Sequence, residues 1–155
     1  MTSAGLDQFD ERLLAVLQVQ GDLTQAQLAE RVHLSPTQCA RRISRLRQEG
    51  YIQGYCAIVD HKKLGFSILS HTLVTVRSHD ETANSAFRAF VQGSPEVIEC
   101  YTQTGDADYL LKVLCRDLDD LSDFLERLVK ATGGVASVRS SVALQQIKRS
   151  PRLFR

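Results

Sequence analysis

The sequence predicts an α+β chain in two parts: an N-terminal helix-turn-helix domain over residues 1–60, and a C-terminal ferredoxin-like βαββαβ domain over 67–155. A linker at 61–66 joins them. Three observations carry this. Three stretches within the first 50 residues have apolar side chains at helical spacing, each behind a capping residue. Only His33 and Leu34 separate the second stretch from the cap of the third. From residue 67 onward, β-branched runs alternate with helical ones in the order β-α-β-β-α-β.

Residues 7–20 set Phe9, Leu13, Val16 and Leu17 on one stripe. Asp7 is the expected N-cap, and Asp10 and Glu11 complement the helix dipole. Gly21-Asp22 ends the helix. Thr24 caps the second helix, with Gln27 as capping-box partner and Leu28, Ala29 and Val32 inward. Ser35 caps the third, Pro36 takes its first position and Gln38 completes another box. Cys39, Ile43 and Leu46 follow at i, i+4, i+7, and Gly50 stops the helix. A connection as short as His33-Leu34 forces the two helices to cross sharply, with Leu34 in the angle. Histidine replaces the glycine common in such turns and tolerates positive φ. Residues 51–60 read as a turn followed by a strand.

In the second half, strands are expected at 67–77, 97–103, 109–115 and 138–147, and helices at about 81–92 and 118–131. The first of these helices turns Ala83, Phe87, Phe90 and Val91 inward, and Gly93-Ser-Pro95 breaks it. The second turns in Leu118, Leu121, Phe124, Leu125, Leu128 and Val129 before Thr132-Gly-Gly134. The last strand alternates Val138, Ser140, Val142 and Leu144 on one face. Two helices on one side of a four-stranded sheet leave the other side open. That side carries Leu69, Leu73, Tyr109 and Leu111 or their alternates, and a half-apolar open face is expected to meet a second copy.

The composition narrows the function. With 43% hydrophobic and 24% charged residues the chain reads as a soluble globular protein. No apolar run approaches the ~20 residues of a membrane helix, and the first residues lack a signal peptide's basic and apolar regions. A cytoplasmic protein is therefore expected. Cys39, Cys56, Cys100 and Cys115 form no Cys-x-x-Cys pair and have no histidine at ligand spacing, so they read as reduced thiols rather than metal ligands. His33, His61, His71 and His79 are scattered, and there is no phosphate loop or nucleophile elbow, so no enzyme is expected. No cofactor is implied.

The net charge of +1 excludes a uniformly basic nucleic-acid binder but allows a basic face. Residues 35–50 hold four arginines against one glutamate. Thr37, Arg41 and Arg45 stand at i, i+4, i+8, with Gln38 and Arg42 in the adjacent row. An α-helix fits the major groove of double-stranded DNA, where arginine grips guanine and glutamine grips adenine. The remaining arginines suit phosphates, as do Ser35 and the free N–H groups at the helix start. A solvated basic face would need the same charges. The short turn and the capped helix add what DNA recognition requires.

At this point the sequence resembles the Lrp/AsnC (feast/famine, leucine-responsive) regulators. Ser35–Tyr55, Leu6–Leu14, Leu28–Ser35 and Leu64-Gly65 match in the first half, and Pro95–Tyr101 and Thr104–Val113 in the second. The resemblance spans nearly the whole chain. It implies a DNA-binding transcription regulator whose N-terminal helix-turn-helix is winged-helix-like or plain, joined to a C-terminal regulation-of-amino-acid-metabolism (RAM) domain. It also implies homodimers that assemble toward octamers, and an amino-acid effector bound between subunits. On that resemblance Gly105 would let backbone N–H groups approach an effector carboxylate, Asp106 or Asp108 would accept from its ammonium, and Tyr101 and Thr104 would flank it. From the residues alone Thr104–Asp108 reads first as a plain β-turn, where glycine and aspartate are favoured for backbone reasons. A stand-alone amino-acid sensor without DNA binding is the alternative, and it would need the arginine rows to be surface decoration.

Overall fold

The structure, a computed structural model, describes residues 5–77, 81–150 and Leu153, with Thr82 and Ala83 described in their backbone alone. His79, one of the four histidines noted above, and the inward side chain expected of Ala83 therefore lie outside the described residues. The chain divides into two compact units, Met1–Ile58 with Ile147–Arg155, and Val59–Gln146. Among the described residues of the tail, 147–150 and Leu153, expected with the second domain, group with the first unit.

The first unit is built on α1 (Gln8–Leu17), α2 (Gln25–Val32) and α3 (Pro36–Gln48). Each starts in a reciprocal capping box: Asp7 with Asp10, Thr24 with Gln27, Ser35 with Gln38. These boxes fix where each helix begins, because they satisfy backbone donors that have no partner inside the helix. His33 ends α2 in the left-handed region (φ 56°, ψ 47°), and its N–H bonds the Ala29 carbonyl. Leu13, Leu28, Ala29, Val32 and Cys39 form the core, with Leu34 and Ile43 packed against it. Leu6, Leu14 and Leu46 form a second cluster, closed by Ile52. Residues 51–60 contain no strand, against expectation. A strand needs an edge to pair with, and the three helices of this unit offer none.

The second unit contains β1 (Ile68–Val76), α4 (Glu81–Gly93), β2 (Val97–Thr102), β3 (Tyr109–Cys115), α5 (Leu118–Thr132) and β4 (Val135–Val142). The sheet is antiparallel in the order β2-β3-β1-β4, so β3 lies between the two strands that α4 connects. Val74, Tyr109, Leu111, Val113 and Cys115 meet Phe87, Leu121, Phe124 and Leu128 in the core. The register pairs Val74 with Tyr109 and Leu73 with Leu110. Tyr109 and Leu111 therefore face the helices, not the open side. The open side carries Leu69, Leu73, Leu110 and Leu114. Leu118 and Val129, expected inward, are exposed at the flanks of the α5 stripe. β4 begins three residues before its expected start, at Val135, which is buried, and stops at Val142. Leu144 and Ile147 stand exposed beyond it, past the last β1 partner of β4, Ser70.

Candidate functional site

Seen down α3, with successive residues 100° apart, Cys39 and Leu46 are buried and Ile43 is partly buried beside them. Thr37, Arg41, Ser44 and Gln48 lie opposite and are all exposed. Ser44 and Gln48 were not singled out in the sequence, although their spacing from Thr37 (i+7, i+11) and from Arg41 (i+3, i+7) puts them on the same row. Arg41 makes no ion pair among the described residues.

The other two arginines of the basic face are engaged within the fold. Arg42 donates through Nη1 to Asp7 Oδ2 at 2.7 Å and to Asp10 Oδ1 at 2.8 Å. Its guanidinium also lies 5.4 Å from the Phe9 ring centroid. Arg45 donates through Nη2 to Asp10 Oδ2. The arginine side chains are 19% and 39% exposed, and Asp10 is sealed at 1%. The geometry thus departs from the expected groove-facing pair. At 100° per residue Arg42 is only about 60° from Cys39, close enough to the buried face to reach α1. Burial alone would raise the Asp10 pKa. The bonds from Arg45, the Asp7 N–H and Arg42 outweigh it and hold the carboxyl down at about 2.

The start of α3 is also more occupied than expected. Gln38 Oε1 accepts from the Ser35 N–H at 3.0 Å, and Ser35 Oγ accepts from the Gln38 N–H at 3.2 Å. Pro36 has no N–H. Of the three amides at positions 36–38 only that of Thr37 is left open among the described residues, so the set of free donors imagined for a phosphate shrinks to one. The NH₂ end of Gln38 makes no hydrogen bond among the described residues.

In the second unit the turn 103–108 follows β2. Gly105 has φ 114°, a left-handed value that favours glycine, and open space where a Cβ would stand. Thr104 and Asp106 are exposed, and the Asp106 carbonyl accepts from Thr75 Oγ1. Asp108 is partly buried. Its Oδ2 accepts from the Val76 N–H at 2.8 Å, where the β1–β4 register shifts. Its N–H donates to Val74 O and its carbonyl accepts from Gln103. Asp108 thus ties the turn to β1. Tyr101 is exposed on β2, and its hydroxyl donates to Glu99, which also accepts from Lys112. The structure brings Thr104, Gly105, Asp106 and Asp108 into one turn, with Tyr101 just before it on β2. No group of three or more metal-ligating side chains occurs among the described residues, and no helix there is long and apolar enough to cross a membrane.

Comparison with known proteins agrees with this geometry. Residues 6–53 match the winged helix-turn-helix DNA-binding family, and residues 71–153 match the Lrp/AsnC ligand binding domain. The chain is 35% identical to the DNA-binding transcriptional activator DecR of Escherichia coli, over 92% of this chain and 94% of that one. It is 35% identical to the leucine-responsive regulatory protein of Salmonella typhimurium, over 96% and 90%. A Neisseria meningitidis transcriptional regulator, solved in complex with L-methionine, superposes with a TM-score of 0.89 at 34% identity, covering 94% of both chains. The matched domains bind DNA and a ligand, and their bearers are regulators rather than enzymes. A helix-turn-helix with an outward row on α3, followed by the ligand-binding sheet of this family, makes the chain a member of the Lrp/AsnC family of DNA-binding transcriptional regulators.

Proposed function

We propose that the protein is a cytoplasmic homodimer that enters the major groove of double-stranded DNA with α3 and changes its binding when an amino acid occupies the turn at 104–108. The observation that carries the DNA reading is the exposed row Thr37, Arg41, Ser44 and Gln48, directly opposite the buried Cys39 and Leu46. Arg41 and the NH₂ of Gln38 are the groups that contact base edges. Ser35 and Thr37 position the protein on the DNA backbone. Arg42 supports the helix.

The effector reading rests on the turn. The glycine at 105 permits close backbone approach, the exposed Asp106 carboxylate suits an α-ammonium, and Thr104 and Tyr101 flank them. Asp108 holds the turn in shape. A relative's structure in complex with L-methionine points to a small apolar amino acid as the first ligand to try. Leu69, Leu73, Leu110 and Leu114 on the open sheet side supply the dimer face, and octamers follow by analogy with the family.

The test is fluorescence anisotropy with a labelled duplex from upstream of the protein's own coding sequence, at two salt concentrations and with each common amino acid in turn. The reading expects salt-sensitive binding that at least one amino acid shifts. Binding that no amino acid alters would remove the effector. Absence of DNA binding would leave the stand-alone sensor.

A further inference from the structure

The Asp7–Asp10–Arg42–Arg45 cluster holds two acids against two of the four arginines of α3. It is not a surface ornament. Asp10 has no solvent exposure, and three donors converge on its carboxylate: Arg42 on Oδ1, the Asp7 N–H and Arg45 on Oδ2. The Phe9 ring adds an aromatic neighbour for the Arg42 guanidinium. These partners, Asp7, Phe9 and Asp10, all sit at the start of α1, so the cluster ties one helix to the other through charge. A buried carboxylate engaged on both oxygens is rigid, because moving any partner leaves a charge unmatched.

We propose that Asp10 is a positioning residue for the DNA-reading surface, which holds Arg42 and Arg45 against α1 and so withholds their charge from the phosphate backbone. Arg41 is then left as the free arginine in the middle of the row. The consequence is specificity. Phosphate contacts strengthen binding to any sequence, whereas base contacts discriminate. Restraining two flanking arginines lowers affinity for random DNA more than affinity for the operator, which Arg41 reads from a fixed helix.

This inference rests on α3 being the DNA-contacting helix, and the experiment separates the two. Wild-type full-length protein, Asp10→Asn, Asp7→Asn and the remote control Asp22→Asn are titrated with a random-sequence 30-base-pair duplex over a salt series, and with the upstream duplex at one salt. The amide that Asp10→Asn introduces keeps the shape of the side chain and removes its charge. In Asp10→Asn the slope of log K against log salt on random DNA is expected to steepen by about 1 to 2, as each freed arginine neutralises a further phosphate. Random-sequence affinity rises several-fold, and the ratio of upstream to random affinity falls about tenfold. Asp7→Asn, at an exposed position, steepens the slope by up to about 1 and carries the test if Asp10→Asn fails to fold. Asp22→Asn leaves the slope as in wild type. Wild-type binding with unchanged slopes in both variants, or with both affinities falling together alongside the melting temperature, would overturn the positioning role. A wild type that binds neither duplex would overturn the DNA reading itself.

Discussion

Arg41 and Arg42 are neighbours in the chain, and one step of 100° gives them different surroundings, Arg41 exposed and Arg42 bonded to Asp7 and Asp10. Arg41→Ala removes an exposed cation with no ion-pair partner among the described residues, so it should weaken DNA binding and reduce the salt slope by about 1 while the melting temperature holds. Arg42→Ala removes charge-assisted bonds to Asp7 and Asp10 and should destabilise the fold by about 2 kcal/mol with little change in slope. Parallel thermal melts and salt titrations check both, and equal slopes in the two variants would contradict the division. Asp10 gives a pH signature. Its pKa falls from 3.8 unfolded to about 2 folded, so the unfolded chain binds the proton more readily. The stabilisation, about 2 kcal/mol, is complete above roughly pH 5 and disappears as pH falls through 4 toward 2. Asp10→Asn should flatten that part of the pH–stability curve in chemical denaturation. The sequence announced a basic helix and its inner stripe, but it could not announce this pairing. Asp10 read as a first-turn acid on its own helix, and what distinguishes it is the crossing of α1 and α3, which brings it within reach of residues more than thirty positions away.

At the scale of elements, whatever local chemistry determines was legible. The caps at Thr24 and Ser35 and the short turn at His33-Leu34 appear where their residue types require. His33 carries the one strained feature, a non-glycine residue at φ 56° among the described residues. His33→Gly should relieve it and raise stability by about 0.5 kcal/mol, the net of relaxed backbone strain and a more flexible unfolded chain. Ser35→Ala should cost about 1 kcal/mol through the lost cap. Both are read from thermal melts, and a destabilised His33→Gly would show that the imidazole has a role of its own. Elements that depend on partners were less legible. Residues 51–60 have strand-like composition without an edge to join. The limits of β4 follow β1 rather than their own alternation. Leu118 and Val129 are apolar residues at the margins of a stripe narrower than their pattern suggested. The 104–108 turn has the same lesson. In sequence Asp106 and Asp108 are equivalent candidates, whereas in the fold Asp108 satisfies the Val76 N–H beside the irregular register of β1. Asp108→Ala should therefore lower the melting temperature, by an amount matching about 1 to 3 kcal/mol for the orphaned donor. Asp106→Ala should leave stability intact and weaken the response to an amino acid, measured by calorimetry. A stable Asp108→Ala protein would reverse these roles.

For the whole molecule, the proposed dimer is what would turn two binding units into a regulator. In the proposed mode a single α3 contacts one major-groove segment. Two copies linked by a dimer bind as one ligand, and such linkage raises apparent affinity by about 10²–10⁴ without any new contact. The open side of the sheet is the face suited to that linkage, because Leu69, Leu73, Leu110 and Leu114 gather on β1 and β3, the two central strands. Leu73 sits between Leu110 on one neighbour and Arg139 on the other, so a carboxylate there would be carried into the middle of any interface formed by this face. Leu73→Glu should give a monomer by sedimentation, fold normally because the side chain lies away from the helices, and lose about 10² in DNA affinity. Leu118→Glu places the same charge on an exposed part of α5, off the sheet, and should leave the dimer intact. A Leu73→Glu protein that remains dimeric would move the interface elsewhere. One that is monomeric yet binds DNA as tightly as wild type would mean that recognition needs only one copy of α3, and the reason for coupling a ligand-binding sheet to it would then have to lie within the single chain.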